Sequence, residues 1–149
     1  MSQTPATAES VFAPGIDAVL RDLVHRWNRH DLERVVALYS ADYKGTDVGC
    51  PGAHRGPAAA GECFARYWEA FPDLRLAAKD RIVEGNRAAV AWTARGTHEG
   101  TFMHIPATGR KVAVRGVSFL TLDGDRVSRA FHVWDVAGLL RAVRLLPDL

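Results

Sequence analysis

The stretch DGDRVSRAFHVWDVAGLLRAV, residues 123–143, decides how the chain is read. Asp123-Gly124-Asp125 is a turn signal, and Val127 to Trp134 then alternates in the period-two manner of a strand. Asp135 stands where an N-cap belongs, and Val136 to Leu146 follows as a helix stopped by Pro147. Within the strand, Ala130, His132 and Trp134 share one face, while Phe131, Val133 and Asp135 share the other.

Reading outward, the preceding segments are also strands. Val112 to Leu122 feeds the turn at 123–125, and Arg87 to Thr97 alternates Val90, Trp92 and Ala94 with Ala91, Thr93 and Arg95. Leu74 to Val83 joins it through the turn Glu84-Gly85-Asn86, and a long loop containing Gly100, Pro106 and Gly109 separates the second strand from the third.

The first half reads as helices. Ile16, Val19, Leu20, Leu23, Val24 and Trp27 recur at the spacing of one helical face. Asp31 is placed to cap a second, short helix through Leu32, Val35, Val36 and Tyr39. GTDVGCPGAHRGP, residues 45–57, has four glycines and two prolines and reads as a loop. Pro57 then opens a third helix whose aromatic face, Phe64, Tyr67, Trp68 and Phe71, ends at Pro72. Helices followed by antiparallel strands imply an α+β domain over residues 14–149, preceded by a flexible tail at 1–13.

Composition narrows the function. With 149 residues, 48% of them hydrophobic, there is material for one core. Nineteen Lys+Arg against seventeen Asp+Glu leave +2, too balanced for a nucleic-acid or anionic-membrane footprint. No apolar run reaches a membrane span, and the start MSQTPATAESVFAPG lacks a signal core, so the expectation is a cytoplasmic protein. Cys50 and Cys63 have no CxxC or histidine at ligand spacing and read as free thiols in a reducing compartment. The dinucleotide, Walker, HExxH and GxSxG motifs are absent, so the expectation is chemistry without metal or cofactor.

On the residues alone, Asp135 is a helix cap kept ionised by the helix dipole, and His132 is the side chain best able to take and give a proton near neutrality. Asp47 reads as a turn residue beside Gly49, and His104 as a loop histidine near a pocket mouth. Trp27, Tyr43, Trp68, Trp92 and Trp134 are spread over five elements and could converge on a flat apolar pocket, two or three of them touching it.

Five strings, WNRHDLERVVALYSADY, RGPAAAGECFARYWEAFPDL, AAVAWTARGTHEG, IPATGRKVAVRGVSF and DGDRVSRAFHVWDVAGLLRAV, resemble the SnoaL-like polyketide cyclase family in the same order, over about residues 15–146. That family belongs to the superfamily of nuclear transport factor 2 and ketosteroid isomerase. The resemblance implies a cone-shaped α+β barrel: three N-terminal helices on a curved, mainly antiparallel sheet, a short C-terminal helix, and often a homodimer formed through the sheet. It implies cofactor-independent aldol closure of a polyketide-like, apolar or aromatic substrate. Isomerase, dehydratase or hydroxylase chemistry, or a non-catalytic binding module, are the alternatives the same fold offers.

Asp135 then matches the position of the family's acid/base, Asp47 a polar pocket position able to orient a histidine, and Trp27 and Tyr43 pocket walls. Epoxide hydrolase relatives use an Arg and an Asp where this chain has Glu99 and Thr101, which argues against their mechanism.

Overall fold

A computed structural model describes residues 14–149; the expected tail at 1–13 lies outside the described residues. Helix α1 is Pro14–Asn28, and its predicted face is inside: Val19, Leu20, Leu23 and Trp27 are all buried. Helix α2, Leu32–Val36, starts at Asp31, whose carboxylate accepts from the Arg34 amide at 3.2 Å.

The glycine-rich segment after α2 is not a loop. It forms strands β1, Tyr39–Asp47, and β2, Cys50–Arg55, paired antiparallel through a tight connection at Val48 and Gly49. Two of its glycines, Gly45 and Gly49, serve close packing, whereas Gly52 and Gly56 take positive φ, 87° and 81°. A Cβ at Gly45 would overlap the Tyr43 hydroxyl, and one at Gly49 would overlap the Tyr67 hydroxyl and crowd the Trp134 ring. Glycine content alone does not separate these two roles, because the rings that fill the space at Gly49 come from the helix that follows and the far end of the chain.

Helix α3, Gly56–Ala70, starts beside Pro57 as predicted. The cysteines it approaches are not free: Cys50 and Cys63 are joined as a disulfide, with Cα atoms 6.0 Å apart, because the β1–β2 hairpin lays the start of β2 against α3. A reducing compartment therefore has no support from this pair. No helix of the described residues is long and apolar enough to cross a membrane.

Four long strands complete the sheet: β3, Arg75–Glu84; β4, Arg87–Thr97; β5, Lys111–Asp123; and β6, Arg126–Trp134. Helix α4, Val136–Ala142, is shorter than its apolar pattern suggested, since the chain leaves helical geometry at Val143 and Arg144 takes a φ of 66°. The six strands run β2-β1-β6-β5-β4-β3, antiparallel throughout except for the β1–β6 pair. This is the expected α+β architecture, with a hairpin set between α2 and α3.

Register places one row of side chains across the concave face. Asp47 on β1 is the partner of His132 on β6, His132 of Ser118 on β5, and Ser118 of Val90 on β4. Directly paired residues share a face, so these four point the same way. The next row is Trp134, Gly116 and Trp92. A Cβ at Gly116 would overlap the Trp92 ring and sit 2.8 Å from the Trp134 Cβ. Gly116→Ala is therefore expected to cost about 1–3 kcal/mol, as overpacking does, seen as a lowered unfolding midpoint in urea.

On the opposite face Phe119 and Phe131 are cross-strand partners with stacked rings 6.3 Å apart, and both are exposed, as is Val133.

Candidate active site

The concave face, α1 and α3 enclose a cavity of about 280 Å³, at the lower end of the range for ligand pockets. Its wall is aliphatic and aromatic, and the polar groups within it are few. Those at the β1–β6 side are Asp47, Tyr67, Ser118, His132 and the indoles of Trp92 and Trp134.

Asp47 closes β1, and only 8% of its surface is exposed. Three donors converge on its Oδ1: the Tyr67 hydroxyl at 2.6 Å, the Gly49 amide at 2.8 Å and Trp134 Nε1 at 3.3 Å. Trp134 Nε1 also lies 3.1 Å from the Tyr67 oxygen. Its Oδ2 carries none of these bonds; the neighbour there is Cys63 Sγ at 3.7 Å. Burial, reinforced by the Asp47 carboxylate, raises the Tyr67 pKa far above that of an ordinary phenol, so this hydroxyl stays protonated and donates.

His132 sits one strand away. Its Nδ1 is 2.6 Å from Ser118 Oγ, and Trp92 Nε1 donates to the same Oγ at 2.9 Å. An indole can only donate, so Ser118 accepts from Trp92, and its own proton is the donor to Nδ1 when His132 carries its hydrogen on Nε2. In that tautomer the neutral imidazole presents an N–H at Nε2, a buried atom with no hydrogen-bond partner among the described residues. Neutrality is favoured: burial lowers the His132 pKa below its ordinary 6.5, and His54 pushes the same way against the opposing pull of Asp47.

Strand parity thus resolves in favour of His132. Asp135 lies beyond the end of β6, exposed, where its carboxylate caps α4 by accepting from the Gly138 amide at 2.8 Å. It is not among the cavity residues, and the structure places it as the cap of α4. Asp47, a turn residue on spacing alone and a polar pocket position by the resemblance, is the buried carboxylate of the cavity.

Trp27, Trp92 and Trp134 line the cavity, while Tyr43, Trp68 and His104 do not. Tyr43 is buried behind β1 with its ring edge-on to Tyr39, 4.8 Å between centroids. Trp68 fills the helix interface, stacked on His30 at 5.0 Å and edge-on to Trp27 at 5.3 Å. His104 is exposed on a tight turn with φ of 63°, and it is Phe102, two residues earlier, that reaches the cavity.

Two members went unread in the sequence. Ser118 interrupts the inward series Val112, Val114, Gly116, Leu120 and Leu122, and a hydroxyl at an inward strand position was its signal. Tyr67 was grouped with an apolar helix face, and nothing in its spacing distinguished it from core.

The carboxylate of Asp47 and the two cysteine sulfurs lie within 4.8 Å of one another, a metal-like grouping. With the sulfurs joined to each other they offer no thiolate, and the set does not fit a metal.

The model of the SnoaL-like polyketide cyclase family matches residues 17–143. The chain belongs to this family. Among solved SnoaL-like and related folds, AclR from Streptomyces galilaeus, a proposed hydroxylase, is 28% identical with a TM-score of 0.78, covering 89% of this chain and 83% of its own. A proposed SnoaL-like cyclase from Jannaschia sp. CCS1 is 23% identical with a TM-score of 0.79, covering 91% and 94%. IdmH from Streptomyces antibioticus, a proposed polyketide cyclase, is 23% identical with a TM-score of 0.76, covering 86% and 97%. No curated protein matches the chain.

Proposed function

We propose that this SnoaL-like chain is a cofactor-independent acid–base catalyst that closes a ring of a polyketide-like substrate by intramolecular aldol addition. The observation that carries the reading is the adjacency of a buried carboxylate, Asp47, and a buried, unpartnered imidazole nitrogen, His132 Nε2, on facing positions of an apolar cavity.

The chemistry divides between them. Asp47 takes a proton from the carbon beside a carbonyl, and the His132 Nε2–H donates to the enolate oxygen that forms. After the new C–C bond closes, the alkoxide is held by the same donor and receives the proton back from Asp47. Both residues end as they began, and no redox partner is needed. Trp92 and Ser118 act as positioning residues, since they orient the imidazole and fix its tautomer without needing to touch substrate.

Enolisation can be tested without the natural substrate. In D2O, the protein should accelerate hydrogen–deuterium exchange of the methyl protons of 2-acetonaphthone, followed by NMR, and the Asp47→Asn variant should not. Exchange at the uncatalysed rate with bound ketone would overturn the proton-transfer role.

The resemblance to AclR supports a second reading, in which the same enolate adds dioxygen to give a hydroperoxide at the carbon that lost its proton. Oxygen consumption by the protein with an aromatic diketone would favour it, and anaerobic turnover would favour ring closure.

The expected homodimer would bury the outer sheet face around Phe119 and Phe131. Phe131→Lys should then sediment as a monomer at concentrations where the parent is dimeric; a parent that sediments as a monomer overturns the expectation.

A further inference from the structure

We propose that the substrate carries a carboxylate on its apolar body, and that Arg81, with Arg21 beside it, holds that carboxylate at the end of the cavity remote from His132 and Asp47. The proposal rests on the reading of the cavity as a substrate site and specifies the class of substrate.

A local irregularity in β3 puts Arg81 there. Ala78 pairs with Trp92, but Asp80 pairs with Ala91 and Arg81 with Val90, so Lys79 is an inserted residue in a β-bulge. Leu76 and Ala78 face the cavity, and without the bulge Arg81 would face away. The bulge reverses the parity and sets Arg81 in line with Val90, Ser118, His132 and Asp47, in one row across five strands. Three strand spacings separate Arg81 from His132, roughly 14 Å along the sheet, a span shortened by the reach of the arginine.

Arg81 and Arg21 both line the cavity, as does Asp17, one helical turn before Arg21 on α1. Arg81 Nε donates to Asp17 Oδ1 at 2.8 Å, in a pair whose side chains are 48% and 42% exposed. So exposed a pair is weak and readily exchanged for a better-fitting anion. Arg21 has no ion-pair or hydrogen-bond partner among the described residues. Lys79 and Asp80 join Asp17 and Arg81 around an adjoining shallow depression, and Asp80 Oδ1 is already engaged by the Arg81 amide at 2.8 Å. The three cations outnumber the two carboxylates. Arg21 and Arg81 are the cations that line an otherwise mostly apolar wall, and a carboxylate pairs with a planar guanidinium fork through two parallel bonds that a neutral ligand cannot match.

Calorimetric titration with 2-naphthoate and its neutral counterpart 2-naphthamide separates charge from shape. The parent should bind naphthoate about tenfold more tightly than the amide, with the preference shrinking in high salt. Arg81→Gln should bind both equally, and Asp17→Asn should tighten naphthoate alone by removing its competitor. Equal binding by the parent, or a preference that survives in Arg81→Gln, would overturn the anion site while leaving the deuterium-exchange result for 2-acetonaphthone to stand. Exchange absent with the naphthoate preference intact would overturn proton transfer and leave the anion site. Failure of the folded protein to bind either compound would overturn both uses of the cavity.

Discussion

Asp47→Asn is expected to slow enolisation by roughly 10²–10⁴-fold, the usual loss on removing a positioned general base. Asparagine keeps an oxygen that can accept from Tyr67, Trp134 and the Gly49 amide, so the fold should survive and binding of the ketone should change little. The defect should thus appear in the rate constant and not in KM. Asp47→Ala makes the contrast: it strands the Tyr67 hydroxyl and the Gly49 amide, while Trp134 keeps the Tyr67 oxygen, at about 1–3 kcal/mol for each donor left unpaired, and should lower the unfolding midpoint as well as activity. An Asp47→Asn protein that exchanges at the parental rate would reduce Asp47 to a structural acceptor.

The second large effect is expected at His132. Replacement by phenylalanine removes the Nε2 donor and should cost about 10²–10³-fold, the scale of a lost oxyanion contact, with substrate affinity largely kept. The pH dependence has a definite sign. Burial lowers the His132 pKa below 6.5 in the folded protein, so on acidification through that value the unfolded chain takes up the proton first. The contribution of His132 to stability is complete above 6.5 and declines as the pH falls below it. Thermal unfolding of the parent should show this decline between neutrality and pH 5, and His132→Phe should show less of it. Ser118→Ala removes the hydroxyl that fixes the tautomer, and should shift the pH–rate profile while leaving the cavity intact.

Much of the fold was legible in local pattern. The period-two runs of β4, β5 and β6, the face of α1 and the Asp31 and Asp135 caps follow from neighbours in sequence, and the structure has them. The hairpin at 39–55 was not legible, because Gly45 and Gly49 answer to Tyr43, Tyr67 and Trp134, two of which come from elsewhere in the chain. The site was half legible for the same reason. Parity set His132 and Asp135 on opposite faces without saying which faces inward, and the placing of Asp47 beside His132 depended on the parallel pairing of β1 with β6, which no local spacing reports. Arg81 was hidden by a single inserted residue that reversed the reading of its strand.

The parallel β1–β6 pair also sets when the site can exist. Asp47 and Trp134, which share a hydrogen bond, are 87 residues apart, and strands β2 to β5 with α3 lie between them in sequence. Closing so long a loop is entropically costly and is repaid only once the intervening strands are in register. During synthesis the carboxylate emerges ahead of its histidine and its tryptophan and waits for them until β6 has left the ribosome. Catalytic competence should therefore appear with the last phase of refolding, and a chain ending before Arg126 should possess neither the dyad nor the floor of the cavity.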